Sequence, residues 1–398
     1  MMKSLNSEPW RGLPGQVADL IEPELDAVTG EILAAIALEV PEYARPLEGS
    51  FGRGIRRGVG EALRQFVALI RDPGAGRGGR EVYLELGRGE LRQGRTLDSL
   101  QAAYRVGARV AWRRLSQAGV AAKLDVELLS LLAESIFAYI DELSADSVEG
   151  FAEAQSEQEG ERRRRVNRLV TLLVAEPGAE QADLRAAAQL VGWTPPASAV
   201  AIACTESALG DVARRLPADA LTTVVEGVGC VVLPDPDGPG RAGLAERAAR
   251  GRTLALGTAG APAELPTSWS LARAALRAAE TGDLSGDGLL RVEERLTELL
   301  LFEGAALATR IAARRLAPLD SLTEKAAARM HETALAYVRH GGNAVAMAAE
   351  LHVHPQTARY RTARLRELFG EQLDDPDARF ELEIALRHLD AGALRRSP

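Results

Sequence analysis

The sequence predicts a multidomain, mainly α protein with an N-terminal helical bundle, a small central α/β domain and a C-terminal all-α helix-turn-helix. Apolar residues recur at helical spacing through residues 16–150. Short apolar runs typical of strands lie between residues 197 and 256. After residue 288 the pattern is helical to the end. The length of 398 residues is enough for about two to three such domains.

Three amphipathic segments predict the N-terminal bundle, which we place over residues 1–150. Each carries small or apolar side chains every three or four positions. Asp125 is suited to cap the third of them, and the glycine-rich stretch at 74–79 predicts a break between helices. The helices are expected over residues 55–71, 98–117 and 126–140.

A long polar helix is predicted over residues 141–176, and residues 151–176 are the expected linker to the next domain. Residues 157–165 end in four consecutive arginines, and two interpretations are open. The stretch is either a basic patch for nucleic acid or a solvated helix whose glutamates pair with arginines four residues later. The interleaved acids favour the solvated helix. A helix of this kind between two domains is a candidate coiled-coil signalling rod.

The central α/β domain is predicted over residues 177–310. Strands are expected over 199–204, 221–225, 230–233 and 253–256, and helices over 180–191, 241–250 and 268–280. A turn at 226–229 joins two of the strands as a hairpin. Both cysteines, Cys204 and Cys230, fall on these strands, where we expect buried free thiols.

Composition excludes several classes of protein. Two cysteines are too few for a disulfide scaffold or a cysteine zinc cluster. All five histidines follow residue 330, so the N-terminal region lacks the usual ligands of haem and transition metals. We find no catalytic triad, phosphate-binding loop or metal-ligand spacing. We therefore expect no enzyme activity, no cofactor and no metal site.

Charge and hydropathy indicate the surroundings in which the chain works. The first ten residues have no apolar core, and no stretch approaches about 18 uninterrupted apolar residues. We therefore expect a cytoplasmic protein that does not enter a membrane. The formal net charge is -8, so the whole chain does not attract nucleic acid. The C-terminal region is polarised, however, because residues 359–366 hold four arginines and no acid.

Residues 342–370 predict two helices joined by a tight turn. Gly341 and Gly342 are suited to end the preceding helix, and Asn343 is suited to cap a short helix over 344–351. The turn follows at His352 and Val353. A second helix then starts at Pro355, because proline suits the first helical position, and stops at Gly370. A short helix, a turn and a longer second helix is the arrangement of DNA-binding helix-turn-helix proteins.

The second helix has two chemically different faces. One is an apolar stripe for the core, formed by Ala358, Thr362, Leu365 and Phe369. The other is polar and basic. Glutamine pairs with adenine, threonine contacts the thymine methyl group, and arginine neutralises phosphates. An ordinary solvated amphipathic helix is the alternative. The candidate DNA-binding residues are His354, Gln356, Thr357, Arg359, Tyr360, Arg361 and Arg364.

The motifs of this region lie at residues 341–343, 348–357, 359–361, 365–370, 373–376 and 379–382. With them, residues 335–386 resemble the C-terminal DNA-binding domain of the PucR-type bacterial transcription regulators, and we place that domain over 320–398. The domain is similar to the Fis-type helix-turn-helix. Many Fis-type motifs carry a basic residue where this chain has Pro355. The expected base contacts therefore shift to His354, Gln356, Thr357 and Tyr360.

Two further resemblances cover the rest of the chain. Residues 180–310 resemble the degenerate GGDEF-like domain of CdaR-type regulators, and the hairpin at 226–229 lacks the diguanylate cyclase signature. This resemblance implies no cyclase activity, because the acids that would hold Mg²⁺ are missing. Residues 86–88 and 92–105 make the N-terminal region similar to the RsbRD-type N-terminal domain. That resemblance implies a helical sensor or interaction module.

Together these features predict a sequence-specific, DNA-binding transcriptional regulator that responds to a signal through its N-terminal and central domains. The expected partners are double-stranded DNA and a second copy of the chain, in a homodimer or a higher homo-oligomer, since specific sites usually need two half-sites. A small-molecule or protein effector is a further expected partner. The alternative is a stressosome-type signalling scaffold that acts through protein contacts.

Overall fold

The computed structural model describes residues 8–44, 49–74, 78–284, 286 and 288–394, without the side chains of 49–51 and 390–394. The chain forms two compact units, Met1–Glu161 and Arg162–Pro398. The first is helical, and the second contains a small sheet followed by helices, which confirms the mainly α, multidomain class. Over the described residues, no helix combines the length and the apolar character needed to span a membrane.

The first unit is built from helices α1 to α6, which pack around one apolar core. The helices predicted over 55–71, 98–117 and 126–140 are all confirmed, and each is longer than expected. Of the predicted glycine-rich break, residues 75–77 lie outside the described residues. The helices are α1 Gly15–Ile21, α2 Leu25–Glu39, α3 Gly49–Arg71, α4 Arg80–Arg92, α5 Leu97–Ala121 and α6 Val126–Leu173.

Helix α6 is continuous over 48 residues, so the long helix predicted after residue 140 extends the preceding helix without a break. Asp125 begins it as expected, since its Oδ1 accepts from the backbone N–H of Leu128 at 2.8 Å. Leu132, Ile136 and Leu143 are buried in the core of the first unit. The four arginines at 162–165 are exposed, which both interpretations of this stretch require. Pairing of this helix with a second copy stays a prediction.

Helices α4 and α6 approach so closely that only glycine fits between their backbones. A Cβ at Gly87 would overlap the carbonyl oxygen of Ser147, and one at Gly150 would overlap the carbonyl oxygen of Leu84. Ion pairs flank this contact. They are Arg80 with Asp146 at 3.1 Å, Arg80 with Glu149, and Arg88 with Glu153 at 2.9 Å.

The central part of the chain is a five-stranded sheet with the order β2-β3-β1-β4-β5, flanked by helices. The three longer strands are antiparallel, with Ala201 opposite Val232 and Thr223 opposite Cys230. The hairpin turn is tighter than predicted, because Glu226 and Gly227 alone form it, both at positive φ. The elements are α7 Gln181–Val191, β1 Ala199–Thr205, α8 Glu206–Arg214, β2 Leu221–Val225, β3 Val228–Pro234, α9 Leu244–Ala248, β4 Leu254–Leu256, α10 Leu265–Glu280 and β5 Leu289–Arg291.

Strand β5 corrects the expectation that the chain is helical from residue 288 onward. Leu289–Arg291 pairs in parallel with Leu254–Leu256 and closes the edge of the sheet. Three residues are too few to give a strand period in the sequence, and their pairing partner lies about 35 positions earlier in the chain. The pairing is therefore a property of the folded domain.

Both cysteines are fully buried free thiols, as predicted. Burial raises the pKa of Cys204 to about 11 and also raises the pKa of Cys230. Because the thiolate is the reactive form, neither residue is suited to redox or nucleophilic chemistry near neutral pH.

The C-terminal helices share a core that starts before residue 320. Ala312, Leu316 and Leu319 are buried with the helix-turn-helix residues. Helix α12 packs along α16, and the Arg315 guanidinium holds the Glu381 carboxylate at 2.7 Å. The helices are α11 Leu296–Glu303, α12 Ala305–Arg315, α13 Glu324–His340, α14 Ala344–Glu350, α15 Pro355–Phe369 and α16 Pro376–Leu394.

The close approach of α4 to α6 is tested by one methyl group. We expect Gly87→Ala to destabilise the protein by about 1–3 kcal/mol, because the helices must separate to admit the Cβ. Gly89→Ala in the same helix is the control, since no atom lies within 4 Å of its Cβ. It should stabilise the helix by about 0.5–1 kcal/mol. Chemical denaturation of the full chain measures both, and equal effects would contradict docking through Gly87.

Candidate nucleic-acid interface

The first helix of the candidate site is positioned by two glycines and an asparagine, as the sequence predicts. Gly341 and Gly342 both have positive φ, and a Cβ at Gly342 would lie 2.8 Å from the Tyr337 ring. Asn343 then caps α14, because its side-chain oxygen accepts from the N–H groups of Val345 at 3.0 Å and Ala346 at 3.2 Å. Helix α14 ends at Glu350, one residue before the predicted end.

The turn between the two helices depends on His352 and His354. His352 adopts the left-handed conformation at φ 53°, which redirects the chain, and Val353 N–H donates to the Ala348 carbonyl at 3.0 Å. The Nδ1 atom of His354 accepts from the N–H of Gln356 at 3.2 Å and so caps α15. Because Nδ1 accepts, the neutral ring carries its proton on Nε2. His354 therefore presents an N–H donor beside the start of the helix.

The core stripe of α15 is confirmed. Ala358, Leu365 and Phe369 are buried, and α15 packs against α13 and α14. Thr362 is half-buried, and its hydroxyl donates to the Ala358 carbonyl at 2.9 Å. Burial of this stripe fixes which side of the helix is open to solvent.

The open side of α15 holds the candidate residues. Tyr360 has 74% of its surface exposed, which is a large exposed fraction for an aromatic side chain. At 100° per residue, Tyr360 lies nearly opposite the buried stripe. Arg361 is half-buried at one flank. The exposed candidates are His354, Gln356, Thr357, Arg359, Tyr360 and Arg364.

Charge is distributed unevenly on this surface. The Arg364 guanidinium lies 2.6 Å from the Glu367 carboxylate, one turn further along α15. A phosphate would therefore have to compete with Glu367 for Arg364. The side chain of Arg366 hydrogen-bonds Tyr337, which raises the pKa of Arg366 and ties α15 to α13. Arg359 and Arg361 lie on the two flanks of the open face and keep the surface basic.

The sequence pattern did not identify the bonds that tie α14 to α13. Glu350, at the end of α14, accepts from Arg339 at 2.9 Å and from His340. Burial raises the pKa of Glu350, but hydrogen bonds from His340 and Arg339 outweigh that effect and lower it. No sequence signal points to this pairing, because the residues are 10 and 11 positions apart and belong to different helices.

In the part of the chain that the structure describes, no group of three or more histidine, cysteine or acidic side chains is placed to hold a metal ion. The arrangement of α13, α14 and α15 instead offers a basic, hydrogen-bonding face on a helix of 15 residues. An α-helix fits into the major groove of B-DNA.

Comparisons with known proteins assign both ends of the chain. A family model described as the PucR-like N-terminal domain matches residues 10–174, and one described as the PucR C-terminal helix-turn-helix domain matches residues 330–388. No curated protein matches the chain. Among solved structures, a regulator of polyketide synthase expression from Bifidobacterium adolescentis is similar at 18% identity. The match covers 59% of this chain and 93% of that chain, with a TM-score of 0.30.

The cap of α14 is tested at Asn343. We expect Asn343→Ala to destabilise α14 by about 1 kcal/mol, because two backbone N–H groups lose their acceptor. Asn343→Asp keeps an acceptor oxygen and serves as the control. Amide hydrogen exchange over residues 344–350 of the full chain measures the effect. Unchanged exchange in the alanine variant would mean that the cap does not hold this helix.

Proposed function

Since this chain belongs to the PucR family of bacterial transcriptional regulators, we propose that it binds specific sequences in double-stranded DNA through α15. The observation that carries the proposal is the open face of α15, which stands opposite a buried stripe and begins at a capped helix end. The N-terminal end of a recognition helix is the part that meets base edges in the major groove.

Base readout falls to the first turns of α15. Gln356 is exposed and has both a donor and an acceptor for a bidentate pair with adenine. Thr357 offers a methyl group and a hydroxyl to a neighbouring base pair. The Nε2–H of His354 and the exposed Tyr360 side chain extend the surface on either side. The geometry of α15 supports these roles because all four residues lie within about two turns of the helix start.

Phosphate contacts fall to the arginines. Arg359 and Arg361 flank the base-reading residues, as phosphate-binding groups flank the groove. In this proposal Arg364 leaves Glu367 on binding and contacts a DNA phosphate instead. Because Glu367 competes, Arg364 contributes less to affinity than an unpaired arginine would.

Two copies of the chain are needed for a site of ordinary length. One helix-turn-helix covers a single half-site, and two half-sites about one helical turn apart match a two-fold symmetric dimer. We therefore propose a homodimer or a higher homo-oligomer on DNA. The central domain, for which the GGDEF-like assignment stays a prediction, and helix α6 are the candidate dimer contacts.

Signal input is assigned in this proposal to the N-terminal helical module, over about residues 1–150, with 151–176 as linker. The central domain spans 177–310 and the DNA-binding domain 320–398. The packing of α12 on α16 extends the structural core of that last domain back to α12. A small molecule or a protein is the proposed effector class.

Base readout and phosphate binding are separated by two substitutions. Gln356→Ala should lose about 1–3 kcal/mol of discrimination at one base pair. Arg364→Ala should weaken binding to all sequences alike. It should also reduce the slope of log affinity against log salt concentration by at most about one unit, since Glu367 already neutralises part of the Arg364 charge.

Titrations against matched and single-mismatch duplexes at several salt concentrations measure both effects. Glu367→Ala is the control, and it should strengthen binding by freeing Arg364. If Arg364→Ala loses discrimination between base pairs, or if Gln356→Ala keeps it, this assignment of residues to the faces of α15 is wrong.

The extent of the DNA-binding unit is tested by two segments. Residues 305–398 keep α12 and should fold and bind target DNA, more weakly than the full chain. Residues 321–398 lose the burial of Leu316 and Leu319, and we expect them to be less stable by at least about 3 kcal/mol. Circular dichroism with urea measures the difference. Equal stability of the two segments would remove α12 from the unit.

A further inference from the structure

The N-terminal helical unit contains a partly open cavity of about 80 Å³, and none of its lining residues belongs to the candidate site on α15. Side chains from α2, α3, α4, α5 and α6 line it. Ile32, Leu63, Phe66 and Leu115 are among the lining residues, and each is at least nine-tenths buried. Protein interiors are close-packed, so a void of this size lowers stability unless something fills it.

The lining favours apolar occupants over water and ions. It consists of aliphatic side chains, glycines, Phe66 and tyrosines, with no acidic, basic or amide side chain. Among the tyrosines, the Tyr104 hydroxyl is hydrogen-bonded to Ser147 Oγ at 2.7 Å. A buried water needs two to four polar partners, whereas cavities with apolar walls stay dry and take apolar guests.

Small residues on two facing helices create the space. Gly58 and Ala62 lie on α3, and Ala103 and Gly107 lie on α5. A Cβ at Gly107 would lie 3.5 Å from Cγ2 of Ile32, which is an ordinary van der Waals distance. Alanine would therefore fit at this helix-interior position and would also stabilise the helix. Packing does not require glycine there, and its effect is to enlarge the cavity.

Helix α6 forms one wall of the cavity. Ile136, Tyr139, Ile140 and Leu143 line it, and their spacing of three and four residues places them on one face of α6. An occupant would therefore touch the helix that continues past this unit to Leu173. Five of the lining residues are only half-buried, namely Val59, Ala62, Leu86, Tyr104 and Ile140.

We propose that this cavity is a binding site for a small uncharged apolar molecule, no larger than a benzene ring that carries one small substituent. The absence of charged groups from the lining selects against ionised ligands, because their desolvation would not be compensated. The volume of about 80 Å³ is below the about 150 Å³ of a cavity that holds benzene, so one substituted ring marks the upper size limit and requires the cavity to widen on binding. Binding does not depend on the regulator function proposed above. Only its use as a signal does.

The test uses fluorobenzene as the probe, with the full-length chain. Titration followed by ¹⁹F NMR should show saturable binding with a millimolar Kd, which benzene displaces. The charged analogue 4-fluorobenzoate should not bind. Absence of saturable fluorobenzene binding would overturn the proposal.

Two cavity variants locate the site. Gly107→Ala should weaken fluorobenzene binding several-fold, and Gly89→Ala, outside the cavity, should leave it unchanged. Ala103→Leu should abolish binding, and its neighbour Ala102→Leu, which does not line the cavity, should retain it. Circular dichroism checks that each variant is folded. If Ala103→Leu fails to fold, Gly107→Ala decides the matter, because its methyl group fits the structure. Equal affinity in Gly107→Ala and Gly89→Ala would place the probe elsewhere and overturn the assignment.

DNA affinity of the same samples separates this proposal from the regulator function. Fluorobenzene binding with unchanged DNA affinity supports the cavity as a ligand site and rejects it as a signal input. Failure of DNA binding in every sample, with probe binding intact, would reject the proposed function and leave the cavity site standing.

Discussion

Helix α6 contributes buried side chains to two separate hydrophobic cores, and the rest of the structure depends on this double burial. Leu132 and Leu143 lie in the core of the N-terminal unit, whereas Leu169 and Leu173 lie in the core that includes the sheet. Burial of each large aliphatic side chain contributes about 1.5–3 kcal/mol. The exposed turns between them have no core of their own to stabilise them, so the helix persists there because packing holds it at both ends.

The candidate DNA-binding surface follows from a similar constraint at smaller scale. Burial of Ala358, Leu365 and Phe369 leaves one face of α15 available. The left-handed conformation at His352 and the cap from His354 set where that face begins. His354 thus makes a structural hydrogen bond through Nδ1 and presents an N–H donor at Nε2. Chemistry and folding are combined in one side chain at the entrance to the proposed major-groove contact.

Two features of the N-terminal unit converge on one stretch of α6. The apolar cavity touches α6 between Ile136 and Leu143, and α4 docks on it through Gly87 and Gly150 just beyond. Because the two backbones touch with no side chains between them, neither helix can shift unless the two helices move apart. The contact is therefore stiff. A ligand in the cavity would therefore act on α6 next to the point where the backbone of α4 contacts it.

The sequence by itself determined the features that depend on neighbouring residues. The Asn343 cap, the glycine stop at Gly341 and the buried stripe of α15 are local, because capping and helical period act within a few positions. Tertiary structure decided the rest. Strand β5, the docking of α12 on α16 and the Glu350 bonds to α13 join residues far apart or in different elements. The cavity likewise exists only where five helices meet, and no local pattern encodes a shared space.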